Sequence, residues 1–323
     1  MTINGGYFRK ILWVDLTSGE SRMLRYGDAF TKKYVGGRGF GIKLLWDHLQ
    51  EKGYDIDPLG PDNLLVIAPG PLTGMYLPAS GKTSFISLSP ATNGYGDSNM
   101  GGGFGVELRQ AGYDAVALTG KAPALSYLWI DDETVKIVKN EKLKGKGCLE
   151  TEGIIKKELG DQMVKAALVG PAGENLVRFA CVSSEWSRNA GRTGMGAVLG
   201  SKNIKAIAIR GSNDLPVYDL PKLRKISDEA FAALRAHPYF EFWQQQGLMS
   251  VIDYLSTAGG LPTRNFSDAV FEGAKRINGF EMESKFKIGD SACFACPMSC
   301  GNICLVKEGP YAGTVAEGPE YET

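Results

Sequence analysis

The chain has 323 residues, and its 36 lysines and arginines balance 36 aspartates and glutamates, so its formal net charge is zero. This balance disfavours a nucleic-acid-binding protein, and the absence of an apolar run near the roughly 18 residues that span a bilayer disfavours a membrane protein. With no secretory signal at the N-terminus, we expect a cytoplasmic globular protein whose 42 glycines, well above the average share of about 7%, occupy special backbone positions.

The opening segments predict a hairpin and two helices. Apolar, β-rich runs between 8 and 26 flank the turn residues at 17–20, a pattern typical of a β-hairpin. Asp28 is placed to cap a short helix. The glycine-rich turn at 36–41 then leads into a helix over 42–49, whose apolar residues at 42, 45, 46 and 49 share one face.

Short strand-like runs separated by turn residues dominate the chain up to residue 209. With one helix among them, at 151–159, their spacing favours a mainly antiparallel sheet structure. The predicted strands are 64–68, 84–88, 115–118, 125–130, 134–138, 166–169, 179–182 and 204–209.

Beyond residue 212 the pattern becomes helical. Asp219 and Pro221 begin a helix with apolar residues three and four positions apart, and a second helical run covers 241–256. The sequence therefore predicts an α+β protein: a β-rich base domain at 1–212, followed at 213–323 by the start of an α-helical domain.

The strongest chemical signal is the C-x2-C-x3-C run formed by Cys293, Cys296 and Cys300. Runs of this kind commonly hold iron–sulfur clusters, which we favour over a zinc site or inert buried cysteines. Cys304 is either a fourth ligand or, as we favour, a buried small hydrophobic residue in a strand. The isolated cysteines are interpreted as core packing: Cys148 and Cys181.

Two glycine-rich stretches indicate close approach of the backbone to a ligand. At 94–105, backbone amides could reach an anion or a flat ring, and Asn99 offers an oxygen to a hard cation such as Mg²⁺; the alternative is a flexible turn. At 188–200, Arg188 and Arg192 among glycines suit phosphate, and the alternative is solvated surface arginines.

Other catalytic motifs are incomplete. The stretch SGKT at 80–83 has Tyr76 where a P-loop needs glycine, so nucleoside triphosphate binding is rejected, and no Rossmann fingerprint occurs. The two histidines, His48 and His237, are both expected to be structural.

Several ordered motifs together resemble the tungsten-dependent aldehyde ferredoxin oxidoreductase family, from residue 8 to the end of the chain. They are YVGGRG at 34–39, APGPLTG at 68–74, AGYDA at 111–115, GPAGEN at 170–175, AGRTG at 190–194, GSKN at 200–203, the cysteine run, and EGPEYE at 317–322. A match at so many ordered points is far more specific than any one of them.

The resemblance implies a base domain of two β-sheets that carries a bis-molybdopterin cofactor with tungsten or, less commonly, molybdenum. Asn99 and the backbone carbonyl of Asn189 match the ligands of a Mg²⁺ that bridges the pterin phosphates. Lys82 stands where well-known members carry an arginine linking cluster and pterin, and lysine lacks the planar fork. The residues expected to line the pterin are Gly101, Gly102, Arg188, Ala190, Gly191 and Arg192.

The resemblance also implies a [4Fe-4S] cluster in the helical part. Cys293, Cys296 and Cys300 match the first three cluster ligands, and Glu322 matches an acidic residue beside the metal that could position or deprotonate water, or relay protons. In the family the fourth cysteine lies far downstream, and members are much longer than this chain. We expect either a fragment or a second half on another polypeptide; if this half works alone, Cys304 is the substitute ligand.

The implied reaction is oxidation of an aldehyde to a carboxylic acid at tungsten. Electrons would pass through the cluster to ferredoxin or a partner electron-transfer subunit, in a homo- or hetero-oligomer. One alternative is the tungsten subunit of a benzoyl-CoA reductase-like complex. Another is a non-catalytic iron–sulfur electron-transfer module.

Overall fold

The structure is a computed structural model, and it describes residue 3 and residues 5–320. The chain forms two compact units, which meet in the sequence between Leu223 and Arg224. The domain boundary at 212/213 lies slightly earlier, in the segment that leads out of the last strand of the first unit, and it stays a prediction.

The first unit contains two mixed β-sheets. The strands of the first sheet are β1 (Lys10–Asp15), β2 (Ser21–Arg25), β3 (Leu65–Pro69), β4 (Thr83–Leu88), β5 (Tyr95–Met100) and β6 (Ala115–Thr119). They lie in the order β2-β1-β6-β3-β4-β5, and all neighbours are antiparallel except β1 and β6. The predicted hairpin is confirmed as β1 and β2.

The second sheet is built in a similar way. Its strands are β7 (Ser126–Asp131), β8 (Thr134–Lys139), β9 (Lys165–Leu168), β10 (Val182–Ser184), β11 (Arg188–Ala190) and β12 (Ile204–Arg210). Their order is β11-β10-β9-β12-β7-β8, again antiparallel apart from β7 and β12. The prediction of a strand-rich, mainly antiparallel first part is confirmed, whereas the strand predicted at 179–182 begins only at Val182.

Helices cover the outer faces of both sheets. The helices of the first unit are α1 (Asp28–Tyr34), α2 (Arg38–Lys52), α3 (Phe104–Gln110), α4 (Cys148–Leu159), α5 (Pro171–Glu174) and α6 (Met195–Ser201). A central apolar cluster takes side chains from both sheets, α3 and α6, while α2 packs on the other face of the first sheet and α4 on that of the second. Because both faces are covered, all residues of β3 are buried.

The cap predicted for α1 is wrong in its residue. Gly27 is the N-cap, without a side-chain hydrogen bond, and Asp28 is the first helical residue. The carboxylate of Asp28 instead pairs with Arg9 and accepts a hydrogen bond from the Ile3 amide at 3.3 Å. Asp28 therefore ties down the N-terminal segment rather than the helix end.

The buried face of α2 also differs from the prediction. Ile42 and Trp46, two of the four apolar residues predicted to share one face, are exposed. The helix already begins at Arg38, and a side chain at Gly41 would press on Ile86 of β4, so the glycine side faces the sheet. The buried residues are Phe40, Gly41, Leu44, Leu45, His48 and Leu49.

Two strands that the sequence does not predict, β5 and β11, lie at sheet edges. The loop expected at 94–105 is wrong for most of its length, since Tyr95–Met100 is a strand and α3 begins at Phe104. At Gly96 a Cβ would lie 2.9 Å from side-chain atoms of Ser89 and Thr193. Glycine is unfavourable in an isolated strand, but here it allows close packing of neighbours.

The second unit consists of short helices and a small sheet. Its elements are α7 (Leu220–Arg235), which starts in the first unit, α8 (Phe240–Gln246), α9 (Ile252–Thr257), α10 (Gly279–Lys285), and the antiparallel strands β13 (Lys287–Ser291), β14 (Gly301–Leu305) and β15 (Val315–Glu317). The helix predicted over 241–256 is interrupted at Gly247, which has a φ of 55°. No helix in the described part of the chain is long and apolar enough to cross a membrane.

Candidate functional site

The edge strands β5 and β11 bring two predicted cofactor segments together. The Thr193 hydroxyl donates a hydrogen bond to the Asp97 carbonyl at 3.1 Å, and the Arg192 amide donates to the Ser98 hydroxyl at 3.1 Å. These contacts hold the segment after β11 against the end of β5 that carries Asn99. The two glycine-rich motifs, far apart in sequence, therefore form one site.

Asn99 lies exposed on β5, opposite Ser84 of β4. The Ser84 hydroxyl donates to Asn99 Oδ1 at 2.7 Å and so orients the amide. A Cβ at Gly37 would lie 3.6 Å from the same hydroxyl, and Gly37 is the N-cap of α2, which lacks a side-chain cap. An amide oxygen near an uncapped helix N-terminus suits a hard cation and its phosphate ligands.

The β10–β11 hairpin supplies the other half of the site. Along β11, Arg188 is half-buried, Asn189 is exposed and Ala190 is fully buried in the core between the sheets. The Ser183 hydroxyl donates to Asn189 Oδ1 at 2.6 Å. The Ala190 side chain is therefore part of the core, whereas Arg192, just beyond the strand, has an exposed side chain.

The glycines of these motifs serve two different purposes. A Cβ at Gly191 would meet no atom within 4 Å, so the backbone there is open to a ligand. Several other glycines allow close packing within the protein. A Cβ at these positions would collide with protein atoms: Gly102, Gly105, Gly194, Gly196 and Gly200.

Lys82 lies immediately before β4, with its residue exposed. The antiparallel register pairs Thr83 with Met100, so Lys82 lies at the end of β5 that leads into Gly101. The Lys82 carbonyl accepts a hydrogen bond from the Thr73 hydroxyl at 2.9 Å, which fixes the backbone at this point. An ammonium group here can supply charge, but not the bidentate geometry of a guanidinium.

The first unit fits a phosphate-bearing pterin held through Mg²⁺. Asn99 provides an oriented oxygen, and Arg188 and Arg192 provide positive charge beside open backbone at Gly191. Hard cations prefer oxygen ligands, and guanidinium groups bind phosphate through a fork of donors. The fit rests on these groups and on the absence of a side chain at Gly191.

In the second unit, Cys293, Cys296 and Cys300 lie in the loop between β13 and β14. The Cys296 amide donates to the Cys293 carbonyl at 3.1 Å, which makes the loop tight. Although Cys300 is exposed as a residue, partial desolvation of its thiol raises the thiol's pKa, and the neighbouring thiols of Cys296 and Cys293 and the Glu320 carboxylate raise it further. The three thiols are thus neighbours.

The arrangement of this loop is not that of a finished metal site. Within the described ranges, no group of three or more His, Cys, Asp and Glu side chains is placed to hold a metal ion. The three thiols fit an iron–sulfur cluster in type, because thiolates are the ligands of such clusters.

The remaining cysteines have separate environments. Cys304 is buried on β14 in the small core of the second unit, as the favoured interpretation expects. Cys148 packs on the apolar cluster under α4. Cys181 is half-buried, and its sulfur lies 3.8 Å from both the Ser183 hydroxyl and Asn189 Oδ1, beside the candidate site rather than in the core.

Two predicted residues need separate mention. Glu322 lies outside the described residues. His48 is buried, and its Nε2 lies 2.7 Å from the Asp62 carbonyl, which agrees with a structural role.

Sequence reasoning missed Ser84 and Glu185, which belong to no recognised motif. Ser84 reaches the site because strand register places it opposite Asn99, and Glu185 reaches it from the turn between β10 and β11.

Comparisons with protein families give a consistent result. Residues 11–211 match the model described as "Aldehyde ferredoxin oxidoreductase, N-terminal domain", and residues 225–323 match "Aldehyde ferredoxin oxidoreductase, domains 2 & 3".

Individual proteins agree with the family models. The chain is 42% identical over 319 residues to the tungsten-containing aldehyde ferredoxin oxidoreductase of Pyrococcus abyssi, covering 98% of this chain and 51% of the relative. The protein of the same name from Thermococcus kodakarensis is 41% identical, with 98% and 52% covered. The chain thus spans about half the length of the curated relatives it matches.

A solved structure is also similar. It is the active site complex BamBC of benzoyl coenzyme A reductase with 1,5-dienoyl-CoA, at a TM-score of 0.81 and 29% identity, covering 98% of this chain and 49% of that chain.

Proposed function

The chain belongs to the aldehyde ferredoxin oxidoreductase family, and from this we propose that it is the cofactor-binding half of a tungsten-dependent oxidoreductase. The observation that carries the proposal is the meeting of Asn99 with the segment 188–192 at one site, in a chain 42% identical to a tungsten enzyme over 98% of its length. The bound group is a bis-molybdopterin with tungsten or molybdenum.

In the first unit, each residue has a binding or orienting task. Asn99 Oδ1, oriented by Ser84, and the backbone carbonyl of Asn189 would hold the Mg²⁺ of the cofactor, which would offset the charge of its phosphates. Arg188 and Arg192 neutralise phosphate charge. Backbone at Gly101, Gly102, Ala190 and Gly191 borders the pterin, with open space at Gly191 in particular. Lys82, exposed just before β4, adds positive charge at the end of β5 that leads into Gly101.

In the second unit, Cys293, Cys296 and Cys300 hold a [4Fe-4S] cluster. Cys304 is packed in the core, which disfavours it as the fourth ligand. When bound, the tungsten centre supplies the two-electron chemistry and the cluster carries electrons one at a time. Glu322 would position or deprotonate water beside the metal, or relay its proton.

The substrate we propose is an aldehyde, oxidised to a carboxylic acid in the cytoplasm, with ferredoxin or an electron-transfer subunit as electron acceptor. The names of the curated relatives support this substrate class. The second candidate is reduction of an aromatic coenzyme A thioester within a hetero-oligomeric complex. The TM-score of 0.81 to the BamBC complex favours it specifically.

Metal and pterin analysis of the protein, purified with the polypeptides that accompany it, tests the proposal. We expect tungsten or molybdenum, a pterin that fluoresces after oxidation, and about four irons per chain. Iron without pterin would instead indicate an electron-transfer module and refute the enzyme. Viologen reduction with aldehydes, compared with viologen reduction by 1,5-dienoyl-CoA, the reverse of benzoyl-CoA reduction, separates the two candidate reactions.

A pair of variants connects the result to the site. Asn99→Ala removes the proposed Mg²⁺ ligand and should lower pterin and magnesium content together. Gln50→Ala removes an exposed amide on α2, away from β5, and should leave both unchanged. Equal cofactor content in the two variants would contradict the role of Asn99.

A further inference from the structure

Glu185 lies in the turn between β10 and β11, just before the strand that carries Arg188 and Asn189. Its carboxylate accepts a hydrogen bond from the Gly103 amide and pairs with the Lys165 ammonium. One side chain therefore connects three segments: the hairpin turn, the start of β9, and the glycine segment that follows β5.

The glycines after β5 make room for this carboxylate. A side chain at Gly102, where φ is 85°, would collide with the Glu185 carboxylate and press on Arg188. At Gly103, a Cβ would lie 3.1 Å from Glu185 Oε1 and 3.3 Å from Lys165 Cε. The need for glycine at Gly102 and Gly103 thus arises from Glu185 and its partners.

The turn that presents Glu185 has an unfavourable backbone conformation. Glu185 has a φ of 44° and Trp186 a φ of 73°, values at which residues with a Cβ are uncommon. The Glu185 side chain is 20% exposed, so solvent screens its charge only in part. Contacts with an amide and an ammonium from other segments hold the turn in this conformation.

We propose that Glu185 is a positioning residue for the cofactor site. Its carboxylate fixes the hairpin that carries Arg188 and Asn189 relative to the segment 99–103. The consequence for cofactor binding rests on the proposed function, but the positioning itself depends only on this chain.

Two variants remove the link from either side. Glu185→Gln keeps the size and one acceptor oxygen but removes the charge that pairs with Lys165, and Lys165→Met removes the ammonium. The matched control is Glu174→Gln. Glu174 makes the same kind of contacts elsewhere, accepting from the Gly145 amide at 2.9 Å and pairing with Lys205.

Amide hydrogen exchange, read by mass spectrometry in the full chain without cofactor, measures the positioning directly. We expect Glu185→Gln and Lys165→Met to accelerate exchange in peptides 101–104 and 184–192 by about tenfold or more, as for loss of a charge-assisted hydrogen bond. Glu174→Gln should leave these peptides unchanged. Pterin content of the loaded protein should fall in the first two variants only.

The outcomes distinguish the two proposals. Unchanged exchange in Glu185→Gln and Lys165→Met, or an equal acceleration in Glu174→Gln, would overturn the positioning role. If the unmodified protein binds no pterin while exchange responds as expected, the proposed function fails and the positioning role stands.

Discussion

Replacing Asp114 with asparagine tests whether a buried ionic network holds the first sheet together. Asp114 pairs with Arg109, and the two side chains are 2% and 1% exposed. Asp114 also accepts hydrogen bonds from the Phe8 amide at 3.1 Å, the Lys10 amide at 3.2 Å and the Tyr26 hydroxyl at 2.6 Å. The network thus joins the start of β1, the end of β2 and the segment before β6.

The expected loss follows from the charge left behind. Asparagine has nearly the size of aspartate, but it turns an NH2 group toward partners that are themselves donors. Arg109 also donates to the Gly6 carbonyl at 2.8 Å and lies over the Phe8 ring at 5.2 Å, so it cannot readily move its charge to water. Removing one partner of a buried pair costs about 3–5 kcal/mol, which we expect for the free energy of opening β1 and β6.

Amide hydrogen exchange of β1 and β6 is the suitable assay, because it reports the opening of these strands separately from the rest of a chain of two units. Asp47→Asn is the matched control. Asp47 pairs with Lys43 at 2.5 Å on the outside of α2, with side chains 52% and 29% exposed, and its loss should cost less than about 0.5 kcal/mol. A cost for Asp114→Asn below about 1 kcal/mol, or no larger than that of the control, would refute the reasoning.

Lys202, two glycines and two cysteines lead to further expectations. Burial lowers the pKa of Lys202 to about 7, so above pH 7 the unfolded chain, with a pKa of about 10.4, binds the proton more strongly. Stability should therefore rise toward pH 10 by up to about 1.4 kcal/mol per pH unit. In urea unfolding, the stability of Lys202→Met should not rise over this pH range. If the stability of this variant and of the unmodified protein rose in parallel with pH, the expectation would be contradicted. Gly191→Ala should leave the melting temperature unchanged but lower the pterin content. Gly196→Ala should lower the melting temperature, because its Cβ would meet the backbone carbonyl of Cys181. The reverse pattern would count against the proposed site. Cys300→Ser should lower the iron content. Cys304→Ser should retain its iron but have a lower melting temperature. Loss of iron in both variants would instead indicate that Cys304 is a cluster ligand.

Among the strands that the sequence predicts correctly are some that are buried on both faces. All residues of β3 are apolar and buried, and β12 is buried up to its last residue with five apolar residues of seven, so their apolar runs are clear. The strands that it misses in the first unit, β5 and β11, are edge strands rich in glycine, asparagine and polar residues. Their conformation depends on partners in other segments, such as Ser84 for Asn99. Local propensity carries no information about such partners.

The helices show the same division. The spacing of Ile154, Ile155 and Leu159 correctly predicts the apolar side of α4, which packs on the second sheet. For α2, the spacing of the apolar residues does not show which of them are buried, because Gly41 in its first turns lets the helix approach β4 closely. The side of a helix that packs on a sheet thus depends on where its backbone can come closest to the strands.

The sequence alone is enough to recognise the family, the cysteine run and the segments that carry Asn99 and Arg188–Arg192, because these depend on residue types and spacing along the chain. Only the tertiary structure shows that β5 and β11 meet, that Ala190 faces the core, and that Glu185 ties Gly103 to Lys165. Those contacts join segments far apart in sequence, and strand register and packing, rather than local pattern, decide which side chains reach one another.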